Sequence, residues 1–235
     1  MIPMRPFGKI LRVLLPFCAV LVASCGSSLE SANEALRIGD FERAIRRFSD
    51  VLDGDPANRD ARYGMALSLF GKAESAERAG EHSVKLWMKA LAEFRILSNI
   101  DASAAKKMHS SALFYLARAR TLENPQAGIL GILDESIALD SANYFSWNLK
   151  AIALSGRGDA ESAKRIFRWI ISEAPDFSPA YSNLGNLYWE KGRVDSAWDI
   201  WSAGSLRFPE NHHLEFWTKV AEDSLKARLA GDDSP

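Results

Sequence analysis

Between Ser178 and Asn211 the apolar positions fall into two bursts separated by a glycine. Tyr181, Leu184, Gly185 and Tyr188 lie three and four residues apart, the spacing of one face of a helix, and Ala197 and Trp201 mark a second helix. Gly192 makes the turn and Pro209 ends the second helix, because a proline cannot continue it. The same marks stand 34 positions earlier: Ala163 for Ala197, Phe167 for Trp201 and Pro175 for Pro209. A period of this size predicts helical hairpins that are each too small to bury an apolar face alone and form a core only by stacking.

The preceding hairpin, Tyr144 to Phe177, carries Trp147, Ala151, Leu154, Gly158, Ala163, Phe167 and Pro175. A unit near the front carries Ala32, Ala35, Gly39-Asp40-Phe41, Ala44, Phe48 and Pro56. The 85 residues from Pro56 to Ser141 are two periods with 17 residues over, so two stretched units are expected there. One has Met65, Ala66 and Leu69 on a long first helix, a turn at Gly80, then Ala90, Phe94 and Leu97. The other has Ala112 and Tyr115, a break at Asn124-Pro125, then Ile129, Leu133 and Leu139. Across the five units the first helix offers Ala32, Ala66, Ala112, Ala151 and Gly185 at one register, and the second Phe48, Phe94, Leu133, Phe167 and Trp201. A small residue at a helix crossing lets the partner's large side chain enter its groove. Leu214, Trp217, Val220, Ala221, Leu225 and Leu229 then stripe one further helix, which predicts a cap that ends at Gly231 and seals the open end of the core.

These residues resemble the tetratricopeptide repeat (TPR). The resemblance implies an all-α fold: a right-handed superhelix, or α-solenoid, of about five helix-turn-helix repeats (25–58, 59–104, 105–143, 144–177 and 178–211) plus a cap helix at 212–230. In that family the first helices line a concave surface that takes extended peptides or partner helices. Its inward positions fall here on Tyr63, Leu67, Phe70, His109, Leu113, Leu116, Phe145, Asn148, Ile152, Ser182, Asn186 and Trp189. Such a mostly apolar and aromatic stripe suits an amphipathic helix or apolar peptide, although each of these residues can equally pack against neighbouring repeats. Asn148 and Asn186 lack inward lysines beside them, Lys106 apart, so a carboxylate clamp of the kind some TPR modules carry is not expected.

The front of the chain follows another pattern. Arg5, Lys9 and Arg12 precede the apolar run Val13–Ala23, whose eleven residues are too short to cross a bilayer core of roughly 30 Å. With Leu21-Val22-Ala23-Ser24-Cys25 after it, the segment resembles a lipoprotein signal (1–24) in which Cys25 is the acylated residue and Gly26-Ser27-Ser28 a tether. An ordinary secretory signal and a buried helix are the alternatives, and Pro16 with its basic flank argues against the second. Two or three acyl chains hold a protein on a membrane almost permanently, at roughly 0.8 kcal/mol for each buried CH₂. The expected place is the bacterial cell envelope, at the outer membrane facing the periplasm. Gly26 is consistent with outer-membrane delivery in bacteria where an aspartate after the cysteine prevents it.

Removing the signal leaves 26 basic side chains against 30 acids, a mildly acidic balance with no basic run, so nucleic acid is not an expected partner. His82, His109, His212 and His213 form no spaced ligand pair, and no phosphate loop or serine elbow is present. No catalysis, metal or cofactor is therefore expected. The leading expectation is an envelope adaptor with a protein partner, comparable in architecture to the β-barrel assembly lipoprotein and the type IV pilus pilotin. The alternative is a small-ligand-binding accessory lipoprotein of a solute transporter, for which the 17 surplus residues would widen a cavity. Self-association through the aromatic-rich C-terminal third is a third reading.

Overall fold

The computed structural model describes residues 28–103, 105–125 and 127–232, and every regular element among them is a helix. In chain order these are α1 (28–37), α2 (Phe41–Gly54), α3 (Arg59–Arg78), α4 (Val84–Ile100), α5 (Lys106–Glu123), α6 (Leu130–Leu139), α7 (Tyr144–Gly156), α8 (Ala160–Glu173), α9 (Ser178–Glu190), α10 (Val194–Arg207) and α11 (His212–Asp232). The signal 1–24 and the acylation site at Cys25 lie outside the described residues. Ser28, expected in the tether, already belongs to α1. The described residues form two compact units that divide between Ala119 and Arg120.

Local chemistry sets where the helices begin and end. Asp40, Asn58, Asn143 and Asp159 each accept a hydrogen bond from the backbone amide three residues on, at 3.0–3.2 Å, and so satisfy a donor that the first turn cannot use. Gly158 and Gly192, one period apart, turn their hairpins with φ of +90° and +71°, a region that side chains with a Cβ rarely adopt.

In the first unit Ala32, Ala66, Ala112, Phe48 and Phe94 are all buried at the crossing positions. The surplus length goes into helix. α3 has 20 residues where the corresponding first helix α7 has 13, and its added turns are packed rather than hollow. Phe70 meets Trp87 edge-on at 4.9 Å, and Trp87 stacks on Tyr115 at 4.8 Å with the rings 6° apart. The Arg118 guanidinium lies 4.9 Å from the Tyr115 ring centre and pairs with Glu77 at 2.9 Å.

In the second unit Ala151, Ala163, Phe167, Leu184, Ala197, Trp201, Leu214 and Ala221 form one buried core. Trp201 fills the notch at Gly185, and a Cβ placed there would stand 2.1 Å from its Nε1. Three expectations need correction. Ile129, expected within a second helix, caps the front of α6, which has only 10 residues because the chain around Pro125 and Gly128 is not helical. α11 continues to Asp232 instead of stopping at Gly231. Leu229 is 70% exposed, because the last turns of α11 extend beyond the helices that bury Leu214 and Ala221.

Candidate protein-binding groove

Four of the expected groove positions are spent on packing. Phe70, His109, Leu113 and Leu116 are buried in the first unit, where His109 stacks on Phe94 at 5.8 Å. Phe70 is covered by the rings of Trp87 and Tyr115. Tyr63 is exposed and Leu67 half-buried on α3.

The second unit keeps an open surface. Phe145 on α7 is 57% exposed and meets the Phe177 ring edge-on at 5.0 Å, and Ile152, two turns further, is 42% exposed. On α9, Ser182 and Asn186 are half-buried. A shallow depression of about 330 Å³ lies between these helices, lined by Ile152, Ser155, Phe167, Asn183, Asn186 and Glu190. Asn183 Nδ2 donates to Asn148 Oδ1 at 2.9 Å, so Asn148 is oriented by its neighbour. Trp189 turns away from the depression: it is half-buried against Trp201 at 5.8 Å and Trp217 at 5.9 Å, in the seam of α9, α10 and α11.

The structure therefore brings Phe145, Asn148, Ile152, Ser182 and Asn186 together on α7 and α9. Sequence reasoning missed Asn183 and Glu190, which follow from the same stripe. Asn183, Asn186 and Glu190 are spaced three and four apart, on the edge of α9 that turns toward α7. The wall has an aromatic end, Phe145 with Phe177, and an amide-rich floor. An apolar side chain placed there would gain from burial, and amides carry both donors and acceptors that an extended backbone can use.

Carboxylates with biased ionisation lie elsewhere, on the surface. A hydrogen bond from Lys72 holds Glu42 below its ordinary value, and bonds from Lys164 and Lys226 do the same for Glu161 and Glu222. Asp159 is lowered by its bonds to Ser162 at the start of α8. Among the described residues no group of three His, Cys, Asp or Glu side chains is placed to hold a metal ion, and no helix is long and apolar enough to cross a membrane.

Residues 29–82 and 148–201 match the tetratricopeptide repeat family model, the second segment spanning most of the open surface. Tetratricopeptide repeat protein 8 of Caenorhabditis elegans is 25% identical over 204 residues, 82% of this chain; the chain spans 37% of that relative. Among solved structures, the MamA protein superposes with a TM-score of 0.56 at 19% identity, covering 80% of this chain and 93% of its own. YrrB, described as a TPR protein with an unusual peptide-binding site, gives 0.56 at 17% identity, with coverage of 82% and 90%. The C-terminal part of a TPR repeat-containing protein from Cytophaga hutchinsonii gives 0.61 at 12% identity, with coverage of 85% and 72%. The described residues thus form an all-helical fold like that of solved TPR proteins, with two segments that match the tetratricopeptide repeat.

Proposed function

We propose that this protein is a membrane-anchored adaptor of the bacterial cell envelope, which docks a peptide or helix of a partner protein across α7 and α9. The observation that carries this reading is the exposure of Phe145 and Ile152 beside the depression at Asn183 and Asn186. Phe145 leans on Phe177 and still leaves 57% of its surface open to a partner. Rings of this kind are the usual anchors of an interface. The peptide-binding site of the structurally similar YrrB is in keeping with the same use of the fold.

A transporter accessory that encloses a small ligand is the less supported reading. It called for the surplus residues to widen a cavity, whereas they lengthen α3 and are filled by Phe70, Trp87 and Tyr115. The groove itself is shallow and floored by amides, which favours a peptide over a buried apolar ligand.

Membrane attachment rests on the sequence Leu21–Cys25. Its test is incorporation of an alkyne-tagged palmitate in the native host, expected for the natural chain and lost in Cys25→Ser. The groove is tested by affinity capture of the intact protein. Phe145→Ala and Ile152→Asp are expected to remove the dominant partner together, while the melting temperature stays within a degree or two. Unchanged recovery of that partner by both folded variants would remove the groove from the account.

A further inference from the structure

The outer face of α4 mixes apolar side chains with cations. At about 100° per residue, Met88, Ala92, Ile96 and Ile100 step round by about 40° each and share an arc of roughly 120°. All four are exposed, Met88, Ile96 and Ile100 keeping 50%, 38% and 41% of their surface open. Lys85 and Lys89 fall inside the same arc and are exposed too, and Arg95 stands at its margin. The one acid of α4, Glu93, lies beyond the arc, half-buried and paired with Arg62 at 2.9 Å. Among the described residues neither Lys85 nor Lys89 enters an ion pair, and exposed Glu81 in the preceding turn is joined to neither. Asp101, at the end of the helix, pairs with Arg59 at 3.4 Å, and exposed Lys106 and Lys107 follow at the head of α5.

Neither feature helps α4 to fold. A cation in the first turn, where Lys85 sits, opposes the helix dipole, and the core contacts already come from Trp87, Ala90, Leu91, Phe94 and Leu97 on the other side. A partner helix would need a continuous apolar seam, which lysines set among Met88, Ala92 and Ile96 interrupt. A lipid surface suits the same interleaving. There a lysine lays its stem beside the apolar groups and lifts its ammonium to the phosphates, where an anionic headgroup supplies the charge that the fold does not. We propose that this face of α4 rests on an anionic lipid surface, a docking that builds on the membrane attachment proposed above. α1 begins at residue 28, so the chain from Cys25 spans at most about 10 Å and holds the first unit at the membrane.

The experiment places an environment-sensitive fluorescent side chain at Ile96 of the full chain and, for comparison, at exposed Glu173 on α8. Vesicles of equal parts phosphatidylcholine and phosphatidylglycerol carry a headgroup nitroxide lipid as quencher. The label at Ile96 is expected to shift to the blue and to be quenched on these vesicles but not on phosphatidylcholine alone, while the label at Glu173 does neither. Lys85→Gln with Lys89→Gln should lower the docked-to-free ratio at Ile96 roughly thirtyfold, at about 1 kcal/mol for each cation near an anionic surface. Flotation of the natural chain and of Cys25→Ser with the vesicles reads the anchor separately. A chain that floats with no change at Ile96 would overturn the docking of α4 and leave the anchor standing; one that does neither would sink both. Equal quenching at the two labels, or equal docking on uncharged vesicles, would also overturn the proposal. So would a shift at Ile96 produced by an acidic amphipathic peptide and not by vesicles, which would assign the face to a protein partner.

Discussion

Replacing Gly185 by alanine tests how the hairpins interlock. The added methyl would stand 2.1, 2.4 and 2.5 Å from Nε1, Cδ1 and Cε2 of Trp201, well inside van der Waals contact. The indole has little room to retreat. It is fully buried, its Nε1 donates to the Ser182 carbonyl at 3.2 Å, and Trp189 and Trp217 flank it at 5.8 and 5.3 Å. Overpacking of a filled core costs about 1–3 kcal/mol, and so close an approach belongs at the upper end. Alanine in place of glycine inside a helix returns at most about 1 kcal/mol. The expected net loss is about 2 kcal/mol, or a melting temperature lower by roughly 4–8 °C for a chain of this size. Urea and thermal denaturation followed by tryptophan fluorescence measure it. In a Trp201→Leu background the same substitution should cost distinctly less, a coupling that the double-mutant cycle isolates. Gly131→Ala on α6, where a Cβ would meet nothing within 4 Å, serves as the converse and should be neutral or stabilising by up to about 1 kcal/mol. A Gly185→Ala variant as stable as the natural protein would refute the notch-and-ring account.

Other outcomes follow from the same structure. Asn143→Ala removes the oxygen that accepts from the Ser146 amide at the head of α7 and should cost about 1 kcal/mol in denaturant titration. Phe94→Ala, in the first unit, empties a fully buried ring site against His109 and should cost about 3–5 kcal/mol by the same assay. Asp159 is held below its ordinary carboxylate value by bonds to Ser162, so its contribution is complete above that value and is lost as acid protonates it in the folded state. Asp159→Asn keeps a capping oxygen without the titration. The fall of its melting temperature between about pH 5 and pH 2 should therefore be shallower than that of the natural chain.

Much of the fold was legible because its signal is periodic. Gly185 is small because Trp201 enters its notch, Ala151, Ala163 and Ala197 are small residues of the same buried core, and a pattern repeated every 34 residues shows in the sequence. The middle was harder to read because its packing is not repeated. Gly64 and Gly71 receive the rings of Phe48 and Phe41, and the Trp87–Tyr115 stack has no counterpart one period away. The groove was half legible. Register alone places Phe145, Asn148, Ile152 and Asn186 on one face, but register says nothing of what covers that face. Phe70, His109, Leu113 and Leu116 occupy equivalent positions and are buried. Asn183 emerged only once the bond to Asn148 joined the two helices.

Site-specific photocrosslinking in the native host tests the adaptor reading most directly, with the reactive side chain placed in turn at Ile152, at Asn186 and, for comparison, at the exposed Glu173 on α8. One and the same protein adduct at Ile152 and Asn186, absent at Glu173, is the expected result. Adducts of equal strength at all three positions, or at Glu173 alone, would contradict a partner seated across α7 and α9.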